Sequence, residues 1–120
     1  MKLIFVTDLH GSKWKYDRIL KLAKELEVDA VLNSGDLLPK GVTQAQQEEF
    51  ISGYLHNYFE QFESAGIYYI YYPGNDDPAR FDPLFEKITN KYSFIIDIAQ
   101  RKVELAGYEF VGMNWVVDYP

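Results

Sequence analysis

The stretch KLIFVTDLH, residues 2–10, decides the fold. Leu3 to Val6 is a short apolar run rich in β-formers, cut off by Thr7-Asp8. Such a run predicts a strand buried on both faces. Its polar end, Asp8-Leu9-His10, carries side chains able to do chemistry. Working outward, the same design returns twice. AVLNSGD, residues 30–36, predicts a second strand over Ala30–Asn33, ending at Ser34-Gly35-Asp36. IYYIYYPGNDD, residues 67–77, predicts a third strand over Ile67–Tyr72, closed by Pro73-Gly74 and followed by Asn75-Asp76-Asp77.

The segments between these strands read as helices. Ser12 is placed to cap one that runs to about Glu27, with Tyr16, Ile19, Leu20, Ala23 and Leu26 at helical spacing. Asp17 stands four residues before Lys21, a favourable pairing on the wet side. A loop with Pro39 and Gly41 follows, and Thr43 with Gln46 resembles a capping box. It opens a helix from Gln44 to about Ala65. Phe50, Ile51, Tyr54, Leu55, Tyr58, Phe59 and Phe62 form its apolar stripe, and Gly66 suits the C-cap. Asp82 and Pro83 fit the cap and first position of a short helix reaching about Asn90. Ser93–Ile98, Lys102–Leu105 and Tyr108–Met113 read as strands, the last two as a hairpin about Ala106-Gly107.

Strands alternating with helices predict right-handed βαβ units, hence an α/β fold with a largely parallel sheet, flanking helices and a C-terminal hairpin. Ligands of such sheets bind outside the carboxyl ends of the strands. Three polar clusters fall at that edge here, which makes coincidence a poor account of them.

At 120 residues the chain fits a single domain, residues 1–120. Hydrophobic residues at 48% and charged residues at 25% describe an ordinary globular composition. A net charge of −6 argues against non-specific nucleic-acid binding and against an anionic membrane. It would also repel phosphate substrates unless a bound cation reverses the local field. The absence of cysteine excludes disulfides, thiolate zinc sites and cysteine nucleophiles. Asp8 arrives well short of a signal-peptide core, and no run approaches the roughly 18 apolar residues of a membrane span. A cytoplasmic location is the expectation.

The cluster chemistry suits divalent metals. Asp8 and His10 lie two apart at a strand end, where extended backbone would point both to one side. A carboxylate beside an imidazole suits Mn²⁺, Fe²⁺ or Zn²⁺. Asp36 follows a glycine that lets the backbone turn, and its two oxygens are able to bridge two ions. Asn75 offers a neutral amide oxygen after a strong turn signal. Each piece singly has a plainer reading as a turn or capping residue.

The order Asp-x-His, Gly-Asp, Gly-Asn-x-Asp, each after a strand of an α/β pattern, resembles the calcineurin-like metallophosphoesterases. The closing hairpin, Val103 to Met113, also looks like a strand pair of that fold. The resemblance implies about half of a four-layer α/β/β/α sandwich, the N-terminal part of a longer domain. It implies two divalent ions, with Asp8 and His10 on the first, Asp36 bridging, and Asn75 on the second. It further implies hydrolysis of a phosphomonoester or phosphodiester by a metal-bound hydroxide. Where the family commonly reads Gly-Asn-His-Asp/Glu, Asp76 stands in the place of the catalytic histidine, and Asp77 matches the acidic position. These two are the candidate catalytic residues. The family's later Gly-His and Gly-His-x-His segments, which supply three more ligands, do not occur in these 120 residues, so full turnover is expected of a longer chain.

Other features have structural readings first. His56 lies off the apolar stripe of the long helix, a solvent-facing or packing position. Tyr68, Tyr69, Tyr71 and Tyr72 suit a central strand that needs bulk on both faces. Trp14 and Trp115 read as packing aromatics, with Trp14 also placed to form a wall of the site. Lys13, Lys15, Arg18, Lys21 and Lys24 make a basic, solvated helix face. A second reading of function, from a different class, is a non-catalytic interaction module. The apolar surface left by an absent second sheet would then be covered by a homo-oligomer or by the remaining half of the domain.

Overall fold

The structure, a computed structural model, describes residues 1–113; Trp115 lies outside the described residues. Four short strands, β1 (Leu3–Val6), β2 (Ala30–Asn33), β3 (Tyr68–Tyr71) and β4 (Ile95–Asp97), pair side by side in that order, all parallel. Helix α1 (Lys13–Glu25) joins β1 to β2. A long helical rod joins β2 to β3: α2 (Gln44–Glu49), a π-helical segment (Phe50–Leu55) and α3 (His56–Ala65). A 3₁₀ turn (Ala79–Phe81) and α4 (Asp82–Thr89) lead into β4. Successive neighbours joined by crossovers of one hand put every helix on one face of the sheet. The packing agrees: Tyr16, Ile51, Phe59, Phe62 and Phe85 share one buried cluster with Val31, Tyr69 and Tyr71 of the sheet.

The other face is only partly covered. The antiparallel hairpin of β5 (Lys102–Leu105) and β6 (Tyr108–Val111) packs Val103, Leu105 and Phe110 against Ala30, Ile70 and Ile98. Ala106 and Gly107 both take positive φ, 52° and 81°, as a two-residue hairpin turn demands. The hairpin does not reach the far edge. Leu3 and Phe5 of β1 are 41% and 68% exposed, so the expected two-sided burial of the first strand fails. Its cause is topological: β1 is an edge strand, and helices cover one side alone.

The long rod follows from its residue spacing. Phe50, Tyr54, Tyr58 and Phe62 recur every fourth residue, and in an α-helix each such step overshoots one turn by about 40°. The π-helical segment takes up the excess by winding more residues into a turn. Tyr16, Tyr58, Phe59 and Phe62 consequently meet Tyr69 and Tyr71 in one aromatic stack, ring centres 4.9–6.4 Å apart. Thr43 and Gln46 form the expected capping box, and Gly66 ends the rod at φ 67°.

Smaller departures have local causes. Ser12 sits at the N-cap but makes no side-chain cap bond. Glu27 turns left-handed at φ 52° and stops α1 early, which leaves Leu26 at 51% exposure instead of on the apolar face. Lys21 pairs with Glu25, not Asp17, whose carboxylate accepts from the Tyr54 hydroxyl. Asp82 is the first residue of α4 rather than its cap, because the 3₁₀ turn already supplies the entry.

Candidate metal centre at the carboxyl edge of the sheet

The loops after β1 and β2 run side by side and continue the ladder past the strands. Asp8 N–H donates to Gly35 O at 3.1 Å, His10 N–H to Asp36 O at 2.9 Å, and Gly11 N–H to Leu37 O at 2.9 Å. The backbone here is not extended. Asp8, His10 and Asp36 have φ of 58°, 45° and 57°, half of the six non-glycine residues with positive φ among those described. Left-handed backbone at such residues costs on the order of 1–3 kcal/mol each, and strain gathered in one spot points to a function. The i, i+2 logic of a strand therefore does not bring Asp8 and His10 together; two left-handed residues in one tight loop do.

The loop after β3 closes from the other side. A Cβ on Gly74 would collide with the backbone N and Oδ1 of Asp36, and one on Gly35 would lie 2.7 Å from Gly74 Cα. Glycine at both places is what lets the loops touch. Asp76 N–H donates to Asp36 Oδ1 at 2.9 Å. Asn75 lies between Gly74 and Asp76, exposed beside the cluster.

Asp8, His10 and Asp36 each offer a ligand atom, and these atoms all lie within 4.8 Å of one another. Asp8 Oδ1 and His10 Nε2 are 3.8 Å apart. His10 Nδ1 is buried without a hydrogen-bond partner among the described residues, which is costly for an imidazole nitrogen unless something else takes its lone pair or proton. Burial pushes the Asp36 carboxyl above the ordinary aspartate range; the Asp76 N–H opposes the rise, and neighbouring Asp8 adds to it. Two carboxylates and an imidazole gathered in one spot, with their crowded negative charge, fit a divalent cation, whose charge offsets the crowding.

The two aspartates after Asn75 part company. Asp77 turns inward, 5% exposed, and its carboxylate accepts three backbone N–H groups: Leu37 at 3.0 Å, Leu38 at 3.0 Å and Gly74 at 2.9 Å. Burial raises its pKa, and the three donors pull it back. Asp76 faces solvent and pairs with Lys40 Nζ at 3.0 Å. Lys40 carries no signal in the sequence, since a single loop lysine does not announce a partner 36 positions away.

Residues outside the site behave as packing. His56 meets the Tyr92 ring edge-on, centres 6.0 Å apart. Tyr69 and Tyr71 are fully buried under the helices, and Tyr68 and Tyr72 pack on the opposite face. Trp14 is 72% exposed. Among the described residues no helix is long and apolar enough to cross a membrane.

A singly wound parallel sheet flanked by helices, with a candidate cation cluster at its carboxyl edge, defines the class as open-sheet α/β. Within it, the chain belongs to the calcineurin-like phosphoesterase family, whose model matches residues 1–115. The fold is similar to the crystal structure of TT1561 of Thermus thermophilus, with 18% identity and a TM-score of 0.71 over 93% of this chain. A second solved structure matches at 14% identity and a TM-score of 0.69, again over 93% of this chain. At such identities the likeness is one of fold. The chain spans 48% and 52% of the lengths of these two proteins, about half in each case. Among curated proteins none matches.

Proposed function

We propose that this chain carries the first half of the active site of a metal-dependent phosphoesterase, as the N-terminal part of a longer catalytic domain. The observation that carries the reading is the gathering of Asp8, His10 and Asp36, each with a ligand atom within 4.8 Å of the other two. In this reading Asp8, His10 and Asp36 would hold one divalent ion, Mn²⁺, Fe²⁺ or Zn²⁺, and Asp36 with Asn75 would serve a second. Such ions, when bound, polarise a phosphoryl oxygen and lower the pKa of water.

The chain's own groups do the rest. Asp8, Asp36 and Asp76 repel a phosphate ester until cations offset them, so metal loading precedes substrate. Asp77 has its oxygens committed to backbone N–H groups, and it acts by positioning the loops that carry Asp36 and Asn75. Asp76 is the exposed carboxylate at the family's leaving-group position. Its partner is the Lys40 ammonium, an arrangement suited to charge placement rather than proton donation. Leaving groups that need a proton to depart gain no help from it. Good leaving groups, such as those of aryl phosphodiesters, are then the expected substrates.

Calorimetric titration with Mn²⁺, run on the native chain and on Asp36→Ala, tests the metal reading. Heat of binding in the first and its loss in the second is expected; equal heats in both would sink it. Hydrolysis of an aryl phosphomonoester and an aryl phosphodiester, by this chain and by any longer chain its gene encodes, tests the activity. The partly open sheet face supports a second reading, a non-catalytic interaction module. Metal binding without hydrolysis in either chain would favour that alternative.

A further inference from the structure

We propose that Lys40 is a phosphoryl-binding lysine of this site and that Asp76 holds it as a latch, released when a phosphate oxygen takes the place of the carboxylate. The inference rests on the metal-site reading above. It begins with how firmly the backbone before Lys40 is held. Leu37 and Leu38 N–H are fixed on the Asp77 carboxylate. Leu37 O receives Gly11 N–H and the buried Tyr16 hydroxyl, each at 2.9 Å. A Cβ on Gly11 would lie 2.6 Å from Pro39 Cβ, so Pro39 is wedged against the His10 loop, and its carbonyl accepts from Gln47 Nε2 at 3.0 Å. At Lys40 the anchoring stops: the residue is exposed, and Gly41 has open space around it at φ 69°. A fixed base with an exposed, releasable side chain is what a substrate-gripping lysine needs.

Charge makes the assignment. Lys40 carries the cation paired with Asp76, and Asp36 and Asp8 also act on it. The Lys40–Asp76 pair is roughly half exposed on both sides, 59% and 47%. Exposed pairs of that kind contribute little to stability, so the bond keeps Lys40 in place without locking it. Once cations offset Asp8 and Asp36, the remaining contest at this edge lies between one carboxylate and an incoming phosphoryl group for one ammonium. The dianion of inorganic phosphate or of a phosphomonoester presents more charge and more acceptor oxygens than a carboxylate and wins the ammonium, whereas a monoanionic diester competes for it on equal charge. Asp76 thereby also raises selectivity: a ligand with a single weak acceptor would not open the latch.

Inorganic phosphate is the probe, measured by calorimetry on the Mn²⁺-loaded chain, with Mn²⁺ affinity measured first and without phosphate. Lys40→Met is expected to weaken phosphate binding about tenfold, the scale of one charge-assisted hydrogen bond, while Mn²⁺ affinity holds or tightens slightly because a cation near Asp8 and Asp36 is gone. Lys40→Arg should keep phosphate affinity within about threefold of native, because the charge stays. Asp76→Asn should tighten phosphate binding about threefold by removing the competitor. Both positions are exposed, so each variant is expected to melt with the native chain, and melting curves verify it. Phosphate bound equally by Lys40→Met and the native chain overturns the role of Lys40. Weakening by Asp76→Asn as large as that from Lys40→Met overturns the latch, since Asp76 would then be holding Lys40 in its working position. A native chain that binds no Mn²⁺ overturns the metal reading itself, and the lysine's role with it, by a result distinct from either.

Discussion

The two faces of the sheet are built to different standards. Under the helices, Tyr69 and Tyr71 stack with Tyr58, Phe59 and Phe62, all at 0–1% exposure, and the cluster runs on through α1 and α4. On the opposite face only Ala30, Ile70 and Ile98 are buried among the described residues, with the hairpin as a partial cover. A cavity of about 200 Å³ opens there, bounded by Phe5, Leu32, Ile70, Tyr72 and Phe110. The difference is a division of labour. The helical face supplies the stability, and the loops of the candidate metal site are tied to it through Leu37, Leu38 and Tyr16. The open face holds little of the fold together and has apolar area to spare.

The largest effect should come from the helical face. Phe59→Ala removes a ring that lies 5.3 Å from Tyr71 and 5.5 Å from Tyr69 in a region with no exposure, and should cost about 3–5 kcal/mol in a denaturant melt. A loss under about 1 kcal/mol would mean that the two faces share the load. Next comes the tie between that face and the site. Asp77→Ala leaves the N–H groups of Leu37 and Leu38 without their acceptor among residues of 0–1% exposure, at a cost of about 2–4 kcal/mol. It should also weaken Mn²⁺ binding, because the Asp36 loop loses its anchor. Asp77→Ala with native stability and native Mn²⁺ affinity would separate the site from the helical core.

What is readable from residues alone follows the same division. Strands and helices of the covered face are legible, because runs such as Ala30–Asn33 and the stripe from Phe50 to Phe62 satisfy a period and a burial requirement together. The gathering of Asp8, His10 and Asp36 is legible from their order at strand ends, although left-handed backbone, not an extended i, i+2 geometry, brings it about. What escapes depends on contacts between distant segments. Nothing local marks Asp77 as turning inward to meet Leu37 and Leu38, or Lys40 as meeting Asp76. The exposure of Phe5 also has no local sign, since an apolar run looks the same whether one face is covered or two.

Acid–base behaviour offers a gentler probe of the boundary between the faces. Asp36, Asp77, Asp82 and Asp97 are all held above the ordinary aspartate range, chiefly by burial. A carboxyl raised on folding binds more protons in the folded than in the unfolded state between its two pKa values. Stability of the metal-free chain should therefore be greatest below about pH 4 as far as these groups decide it, and fall as pH rises through their elevated values. Mn²⁺ should oppose that trend, since a cation favours ionised Asp36, and its affinity should drop as the solution is acidified. Urea melts at several pH values with and without Mn²⁺ check both signs. A metal-free stability that climbs through the weakly acidic range would show that the carboxylates are already compensated without a cation.

The smallest expected effect is the one that tests the open face most directly. Phe5 is 68% exposed, so replacing it removes little buried area, and Phe5→Ser should change the stability of this chain by no more than about 0.5 kcal/mol. The same substitution should reduce self-association at high concentration, because Phe5, Leu3 and Val111 present exposed apolar surface at 68%, 41% and 70%. Sedimentation of both chains over a range of concentrations reads that second effect. A loss above about 1.5 kcal/mol that grows with protein concentration would mean the face is covered in solution by another copy of the chain. Stability would then be linked to association, and the face would count as core. A loss of that size that does not vary with concentration would place the cover within a single chain and undo the contrast between the two faces.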